Sequence, residues 1–323
     1  MKTVVIGGGA SGMLAAYFRA KSNNDVILIE KNEKLGKKLY ITGKGRCNLT
    51  NDTDVEAFIN NVVSNPKFLL SALYSFPPND TIKFFNDIGL KTKTERGNRV
   101  FPESDKSSDV IKVLSNALAK ANVKILLNTT VKSLIINEDK VIGVKTDTED
   151  ILCDNVIVAT GGLSYASTGS TGDGYTFAKS VGHTVNELKP SLTGINLKGE
   201  EFKSLQGLSL KNVKLVAKIG KKTILDEQGE ALFTHYGISG PLVLTLSALI
   251  NRRPLKDISL YFDLKPALTD KQLDARILRD FEAFSNKEFR NSLDMLLPKK
   301  LIPLIIKRCN ISENKRVNEI TQK

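Results

Sequence analysis

The chain opens with a pattern of apolar runs and glycines that is typical of a buried strand, a helix and a second strand. Residues 3–6 (TVVI) form a short β-branched run that ends abruptly in glycine, as buried parallel strands often do. Residues 13–21 are rich in helix-forming side chains, and residues 26–29 (VILI) form a second apolar run closed by Glu30. The order of these segments predicts a β-α-β unit at the N-terminus.

Three glycines between the first strand and the helix have the spacing of a dinucleotide-binding turn. Gly7, Gly9 and Gly12 form a G-x-G-x-x-G sequence. In such a turn the first glycine permits the tight bend, the second lets the backbone approach a diphosphate, and the third lets the helix pack against the strands. The helix N-terminus then presents free N–H groups and a partial positive charge to the phosphates.

Glu30 narrows the choice of nucleotide. A carboxylate at the end of the second strand can accept hydrogen bonds from ribose hydroxyls, and it repels a 2′-phosphate. FAD or NAD is therefore favoured over NADP at this site. The alternative is a glycine-rich turn without a ligand. However, strand, glycines, helix, second strand and acid occur here in order within about 30 residues, which is the context the motif requires.

The segment after Glu30 favours flavin over nicotinamide. Residues 34–50 (KLGKKLYITGKGRCNLT) form a basic, glycine-bearing loop where a simple dehydrogenase would begin its next helix. Gly43, Arg46 and Asn48 in this loop offer backbone amides and side-chain donors that suit a diphosphate and the edge of a flavin. The alternative interpretation is a solvated basic loop.

The middle of the chain has the layout of a glutathione-reductase-type FAD domain. Residues 123–127 predict a strand, and residues 131–136 and 141–145 predict a hairpin. Residues 153–158 predict a return strand that runs into Ala-Thr-Gly-Gly at 159–162, where the glycines let the chain pass beside a cofactor. We therefore predict an α/β fold built on a Rossmann-like FAD domain of this type.

Asp173 lies in the polar segment 164–174 (SYASTGSTGDG), just before a helix predicted from residue 175 to about residue 181. Its carboxylate can accept a hydrogen bond from a ribityl or ribose hydroxyl near the start of that helix. The alternative is ordinary turn chemistry in which Asp173 caps the helix. The cofactor interpretation is favoured because the segment follows Ala-Thr-Gly-Gly directly.

The pattern changes after Pro190. Apolar runs separated by Gly, Lys and Asp turns predict four strands, at residues 192–195, 213–219, 223–225 and 258–264. Three helices are predicted next: from a capping box at 269–272 through 284, from a second box at 285–288 to 297, and around Pro298 and the apolar run 301–306. We predict an FAD-binding domain at residues 1–190, a β-rich cap or substrate domain at 191–265, and a small helical domain at 266–323.

Longer motifs make the chain resemble a known family. VVIGGGASGMLAA, TGKGRCNLTN, RVFPES, ATGGLSY, GSTGDGYTFAKSVGH and FTHYGISGP occur in that order and span most of the chain. They resemble the BaiN/YhiN-like flavoproteins, a family of NAD(P)/FAD-dependent oxidoreductases that includes aminoacetone oxidases. Ala166 differs from the family pattern, because many members have proline at the position after Ser-Tyr. More distantly, the Ala-Thr-Gly-Gly and Thr-Gly-Asp-Gly segments are similar to the flavin domain of fumarate reductase and succinate dehydrogenase.

The resemblance implies FAD as the cofactor and a β-barrel-like insertion that caps the flavin. It implies that FAD is held by Gly7, Gly9, Ala10, Ser11, Gly12, Glu30, Lys31, Gly43, Arg46, Asn48, Val131, Thr160, Gly161 and Asp173. Val131 would contact adenine through its backbone, so its side chain carries no information about that role.

His235 and Tyr236, in the segment LFTHYGISGP, are the candidates for acid/base catalysis near the flavin. The alternative for His235 is a hydrogen-bonded structural residue.

The predicted function is hydride transfer between flavin and an unidentified small-molecule substrate. Because a second dinucleotide fingerprint does not occur in the sequence, NAD(P)H would bind transiently, or oxygen would be the oxidant. Cys47 has no nearby cysteine for disulfide exchange, which favours a buried, inert thiol.

Composition bears on partners and location. The 323-residue chain carries 47 Lys and Arg against 35 Asp and Glu, a net charge of +12, and such an excess suits anionic partners. A nucleic-acid-associated flavoprotein is therefore the alternative function, although the lysines are scattered and tryptophan is absent.

Three widely spaced cysteines argue against a metal centre and for a reducing compartment. No apolar run approaches the roughly 20 residues that cross a bilayer, so we predict a soluble, cytoplasmic protein without a membrane partner.

The last part of the sequence prompts a further expectation. Members of the family return after the inserted domains with a segment similar to FAGE…D…GGYN, and nothing similar occurs after Gly240. The sequence therefore predicts a truncated form or a fragment that lacks pyrimidine and ribityl contacts and binds FAD weakly, or a non-catalytic remnant. Oligomeric state is left open.

Overall fold

The computed structural model describes residues 1–321, which form two compact units, Met1–Asn186 and a second that begins at Glu187. The strands and helices of the first unit are, in chain order, β1 (Lys2–Ile6), α1 (Ala10–Lys21), β2 (Asp25–Ile29), α2 (Lys37–Ile41), β3 (Thr50–Asn51), α3 (Val55–Asn60), α4 (Pro66–Ser75), α5 (Pro78–Asp87), β4 (Thr92–Glu95), β5 (Arg99–Pro102), α6 (Ser107–Lys120), β6 (Lys124–Leu126), β7 (Val131–Asn137), β8 (Lys140–Thr146), β9 (Asp150–Leu152), β10 (Asn155–Val158) and α7 (Asp173–Ser180).

A parallel sheet in the order β10-β1-β2-β6 organises the first unit. One face is covered by helices: Val5 and Leu28 pack in a buried cluster with Met13 of α1 and Leu114 of α6. Alternate residues of a strand point to opposite faces, so the neighbouring side chains are available to the other side of the sheet.

The opposite face of this sheet packs against a small antiparallel sheet formed by β7, β8 and β9. Val4 and Ile29 lie in one buried cluster with Val144 of β8 and Phe177 of α7. Helices, parallel sheet and antiparallel sheet thus form three layers, and the predicted Rossmann-like α/β fold is confirmed. The predicted hairpin over 131–145 is also confirmed, with β7 and β8 pairing from Val131 to Asn137.

The basic segment after Glu30 is more helical than the sequence predicted. α2 occupies Lys37–Ile41, and a 3-10 turn follows over Thr42–Gly45. Gly36, with φ +70°, precedes α2 in a left-handed conformation. Helix-forming Lys and Leu side chains then continue for one turn before Gly43 interrupts the regular geometry.

The second unit contains an antiparallel sheet and several helices. Its elements are β11 (Ile195–Asn196), β12 (Ser209–Ile219), β13 (Lys222–Phe233), β14 (Gly237–Ser239), α8 (Pro241–Ile250), β15 (Ile258–Asp263), α9 (Asp270–Ala283) and α10 (Ile302–Cys309). The strand order is β11-β14-β13-β12-β15. Leu215, Ile238, Val243 and Leu246 are fully buried in its core. Whether residues 191–265 and 266–323 are separate domains stays a prediction.

Several strands of the second unit differ in length from the prediction, and β12 begins four residues earlier than predicted, at Ser209. β13 runs over twelve residues, whereas the sequence predicted a strand only at 223–225. Its polar residues Asp226 to Gln228 pair with β12, and Asp226 forms an ion pair with Lys214 at 2.9 Å. These polar positions suggested a turn but belong to the solvent-exposed part of a hairpin. Conversely, the strand predicted at 192–195 is reduced to Ile195–Asn196.

The helices of this unit were predicted with mixed success. The capping box that begins α9 is confirmed, with Thr269 N donating to Gln272 Oε1 at 2.9 Å. The helix predicted over 285–297 is wrong, because only a 3-10 turn forms, at Phe289–Asn291. There Glu288 is extended and bridges to Arg316, so a contact with distant chain overrides the local capping signal. α10 begins at Ile302, not near Pro298.

None of the helices in residues 1–321 is both long and apolar enough to cross a membrane.

Candidate functional site

A cavity of about 470 Å³ opens in the first unit at the carboxyl end of the parallel sheet. β1 ends there at Ile6, β2 ends at Ile29, and the chain after β10 passes along it through Thr160 and Gly161. The carboxyl edge of an open parallel sheet is where ligands bind in folds of this kind. The predicted cofactor residues that line this cavity are Gly7, Gly9, Ala10, Ser11, Glu30, Lys31, Asn48, Val131, Thr160, Gly161 and Asp173.

The N-terminus of α1 faces the cavity without a capping side chain. Gly9 is the N-cap and offers no side-chain acceptor, and Met13 N donates to Gly9 O at 2.9 Å to begin the helix. A Cβ at Gly9 would meet no protein atom within 4 Å. The first-turn amides at Ala10 and Ser11 therefore adjoin open space, as an anion-binding helix terminus requires.

Gly12 is predicted to hold cofactor but does not line the cavity. A Cβ at Gly12 would lie 1.8 Å from the carbonyl oxygen of Gly7. Gly7 has φ +108°, and its N–H donates to Ile29 O at 2.8 Å. Gly12 thus lets α1 approach the bend at Gly7, which is the packing role assigned to it from the motif.

Glu30 is buried, with 8% of its surface exposed, and it lines the cavity. Its Oε2 accepts a hydrogen bond from Gly8 N at 2.7 Å, and its Oε1 accepts from Asn32 N at 2.9 Å and Asn32 Nδ2 at 2.6 Å. Each carboxylate oxygen can accept about two hydrogen bonds. Oε2 therefore retains an acceptor site for a ligand hydroxyl, while the existing bonds fix the orientation of the group.

Two lysines connect the segment after β2 to the segment before α7. Lys31 Nζ donates to Asp173 Oδ2 at 2.7 Å and to Thr171 Oγ1 at 2.6 Å. Lys38 Nζ donates to Ser170 Oγ at 2.6 Å. Burial alone would raise the pKa of Asp173, but the hydrogen bonds from Lys31 and Thr171 outweigh it, so this pKa lies below the ordinary value. Asp173 is thus an ionised acceptor at neutral pH.

Asp173 is the first residue of α7 and not its cap. Gly172, with φ +89°, is the N-cap and contributes no side-chain hydrogen bond. The alternative interpretation of Asp173 as a capping residue is therefore wrong, and its carboxylate contacts Lys31 and Thr171 instead.

Sequence reasoning missed Lys37, Lys38 and Ser170 as lining residues. Lys38 lies in the basic segment 34–50 and Ser170 lies in the polar segment 164–174, so both segments had been singled out. The two residues are 132 positions apart. Only the fold could show which lysine and which serine meet.

Arg46 is held away from the cavity by acidic neighbours. Its guanidinium forms ion pairs with Glu95 and with Asp105, the latter at 2.6 Å, and it stacks on the Phe101 ring with 4.1 Å to the centroid. The hydrogen bond from Arg46 lowers the pKa of Glu95, and hydrogen bonds from Lys93 and Arg46 lower that of Asp105. Gly43 likewise does not line the cavity. Flavin contacts of these two residues stay a prediction.

Cys47 lines the cavity but is only 4% exposed. Burial raises the pKa of its thiol, and the hydrogen bond with Thr42 offsets part of that effect. The group is therefore a neutral thiol at physiological pH, which agrees with the inert role predicted for it.

His235 and Tyr236 belong to the second unit, in the turn between β13 and β14. Their rings pack edge to face with centroids 5.0 Å apart, and both residues are exposed. Gly194 lies against Tyr236, since a Cβ at Gly194 would be 2.6 Å from the tyrosine Oη. Their part in acid/base catalysis stays a prediction.

Comparison with known proteins supplies relatives that extend over nearly the whole chain. The chain is 32% identical over 321 residues to a 3-dehydro-bile acid delta(4,6)-reductase of Clostridium scindens, a match that covers 98% of this chain and 77% of that protein. It is 30% identical over 302 residues to a ribosomal RNA dihydrouridine synthase of Escherichia coli, covering 93% and 72%.

Among solved structures, the chain is similar to the open conformation of a flavocytochrome c3 fumarate reductase, at 22% sequence identity and a TM-score of 0.47. The match covers 65% of this chain and 47% of the fumarate reductase chain. This chain therefore spans less than half the length of that protein.

Both parts of the chain match descriptions of a single family. Residues 1–235 match the HI0933-like protein Rossmann domain, and residues 189–323 match the HI0933-like protein barrel and H2TH domain. The resemblance that the motifs indicated is confirmed by these matches and by the reductase relative. The chain belongs to the HI0933-like protein family.

Proposed function

We propose that the chain is an FAD-dependent oxidoreductase whose first unit holds the adenosine and diphosphate of FAD in the cavity beside α1. The supporting observation is the uncapped N-terminus of α1 at Gly9, which opens on the same cavity as the buried Glu30 carboxylate. A helix terminus suits a diphosphate, and a carboxylate suits ribose hydroxyls while repelling a 2′-phosphate.

The residues present fit such a cofactor. In the proposal, Ala10 and Ser11 supply backbone amides to the diphosphate, and Glu30 accepts a ribose hydroxyl through the remaining acceptor site of Oε2. Val131 contacts adenine through its backbone, and Asp173 accepts a hydroxyl near the start of α7. Gly9 leaves room for the diphosphate at the helix terminus, and Gly7 and Gly12 let α1 approach the bend after β1. Lys31, Lys38, Asn48, Thr160 and Gly161 complete the lining.

When bound, FAD would supply two-electron hydride chemistry, while the protein supplies orientation and electrostatics. One relative is named a delta(4,6)-reductase and the other a dihydrouridine synthase, names that both denote reduction of a substrate. We therefore propose that this chain reduces a small-molecule substrate with electrons from NAD(P)H. In the alternative direction the chain would oxidise its substrate, and oxygen would accept the electrons. His235 and Tyr236 are proposed to move the accompanying proton.

Flavin content tests this proposal. Equilibrium titration with FAD, which also detects the weak binding expected from the sequence, should saturate at one FAD per chain, and the bound flavin should be in its yellow, oxidised form. Anaerobic addition of NADH or NADPH should bleach that absorbance. A folded chain that binds no FAD even at a saturating cofactor concentration would contradict the proposal. Retention of FAD without bleaching by either nucleotide would contradict only the choice of electron donor.

A second candidate, in which the substrate is a base in structured RNA, is favoured by two observations. One is the 30% identity to a ribosomal RNA dihydrouridine synthase. The other is the net charge of +12, which raises affinity for a phosphate backbone.

RNA binding is expected to be strongly salt-dependent if this second candidate is right. Neutralising about three phosphates would weaken binding by more than tenfold between 50 and 200 mM salt. Filter binding to a ribosomal RNA transcript, with unstructured RNA of equal length as the control, measures this. Absence of binding at the lower salt concentration would dismiss RNA as the substrate.

A further inference from the structure

The second unit contains a cavity of its own, of about 1250 Å³. This volume exceeds the roughly 300–1,000 Å³ of ordinary small-molecule sites. Its walls include Phe202, Phe233, Leu260, Phe262 and Leu304, all of which belong to or pack against the hydrophobic core of that unit. The cavity is partly open to solvent, since Leu255 and Tyr261 in its lining are 62% and 56% exposed, and contact of apolar surface with water is unfavourable. An apolar space of this size therefore suits an apolar ligand.

The charged residues that line this cavity are strongly biased in sign. Five are basic, namely Lys189, Lys198, Arg253, Lys256 and Arg308, and Glu201 is the single acid among the lining residues that the structure describes. Lys189 and Arg308 have carboxylate partners, Glu187 and Glu201 respectively. Within residues 1–321, Lys198, Arg253 and Lys256 form no ion pair shorter than 4.0 Å. The lining thus carries positive charge that a ligand could neutralise.

Part of this positive charge gathers at the C-terminal end of α8. Thr193 N donates to Ser247 Oγ at 2.9 Å, and Asn251 Nδ2 donates to Pro190 O at 3.2 Å. These bonds tie the segment that carries Lys189 to the helix end that precedes Arg253. Arg253 Nε donates to Leu249 O at 3.2 Å, which anchors the base of the guanidinium and leaves its outer edge for a ligand.

We propose that this cavity binds a long-chain carboxylate, with its acyl chain against the apolar walls and its carboxylate beside Arg253 and Lys256. The combination of large apolar volume and excess cationic charge matches a molecule that has one long apolar part and one anionic end. An uncharged lipid would leave the cations unpartnered, and a small hydrophilic anion would leave the apolar walls exposed to water. The site is formed entirely by residues of the second unit and does not depend on flavin binding.

Binding of oleate by the full chain, measured by isothermal titration calorimetry at concentrations below its micellisation, tests the proposal. One oleate per chain is expected, and oleyl alcohol should bind at least tenfold more weakly because it lacks the charge. The double variant Arg253→Glu/Lys256→Glu should also weaken oleate binding at least tenfold. Lys221→Glu/Lys222→Glu, which reverses the same number of charges at the exposed start of β13, should not change it.

A second variant tests the apolar part of the site separately. Leu304→Trp adds volume to the cavity wall and should reduce oleate binding, provided that circular dichroism shows a folded chain. The surface charge reversals keep the proposal testable if this variant fails to fold. Equal affinity for oleate and oleyl alcohol, or unchanged affinity in the double variant, would overturn the proposal. Displacement of oleate by FAD would place it in the cavity of the first unit and would overturn the proposal as well.

Discussion

Substitution of Gly9 by valine should reduce FAD affinity at least 100-fold while the chain remains folded. The backbone at Gly9 has φ −79°, which any residue can adopt, and a Cβ there meets no protein atom within 4 Å. The added side chain would therefore occupy the space in which the diphosphate is proposed to approach the helix terminus. A 100-fold loss corresponds to about 2.7 kcal/mol of binding free energy, which is reasonable for a displaced charged group at a helix N-terminus.

Stability should change little in the same variant. Valine is a poorer N-cap than glycine by about 1 kcal/mol or less. FAD affinity is measured by quenching of flavin fluorescence, and stability by urea unfolding without added cofactor. Ser22→Val, at the exposed opposite end of α1, is the matched control and should keep normal affinity. Normal FAD binding by the Gly9 variant would show that the cofactor does not lie against this helix.

Substitution of Gly12 by alanine, by contrast, should act mainly on the fold. The added methyl carbon would lie 1.8 Å from the Gly7 carbonyl oxygen. The methyl carbon is bonded directly to the α1 backbone and the oxygen is a backbone atom, so no side-chain rotation can relieve the clash. The helix and the bend cannot separate without moving β1 or α1, whose residues Val5 and Met13 are fully buried. Overpacking of this kind costs roughly 3 kcal/mol or more.

Such a loss of unfolding free energy would lower the Tm of a unit of this size by roughly 6–12 °C. Differential scanning calorimetry without cofactor measures it. Gly9→Ala is the matched control, because it adds the same methyl group three positions away and should leave the Tm within about 2 °C. Equal Tm values for the two alanine variants would mean that α1 does not pack on the Gly7 bend as described. Loss of FAD binding in the Gly12 variant alone would not distinguish a packing role from a contact role.

Local patterns in the sequence were sufficient to predict the β1-α1-β2 unit and its candidate site. Short apolar runs, the spacing of Gly7, Gly9 and Gly12, and the acid at Glu30 all act within a few residues of one another. Their physical requirements are set by backbone geometry and by burial of one strand, so they appear directly in the order of residues. For the same reason the capping box at Thr269 was predicted correctly.

Elements stabilised by distant contacts were predicted less well. The capping signal at residues 285–288 did not produce a helix, because Glu288 pairs with Arg316 instead. Polar residues 226–228 were interpreted as part of a turn, but they extend β13 through pairing with β12. In both cases the local preference of a residue for helix or strand contributes a few tenths to about 1 kcal/mol of conformational free energy, and tertiary pairing readily outweighs it.

The sequence by itself determined the α/β class of the first unit and the presence of a glycine-lined helix terminus with an acid nearby. Only the tertiary structure decided that Lys38 meets Ser170 and that Arg46 turns to Glu95 and Asp105 and not into the cavity. It alone also decided that scattered lysines and arginines of the second unit line one apolar cavity. Backbone requirements are local and can be read along the chain, whereas side-chain partners depend on how segments more than 40 residues apart are brought together.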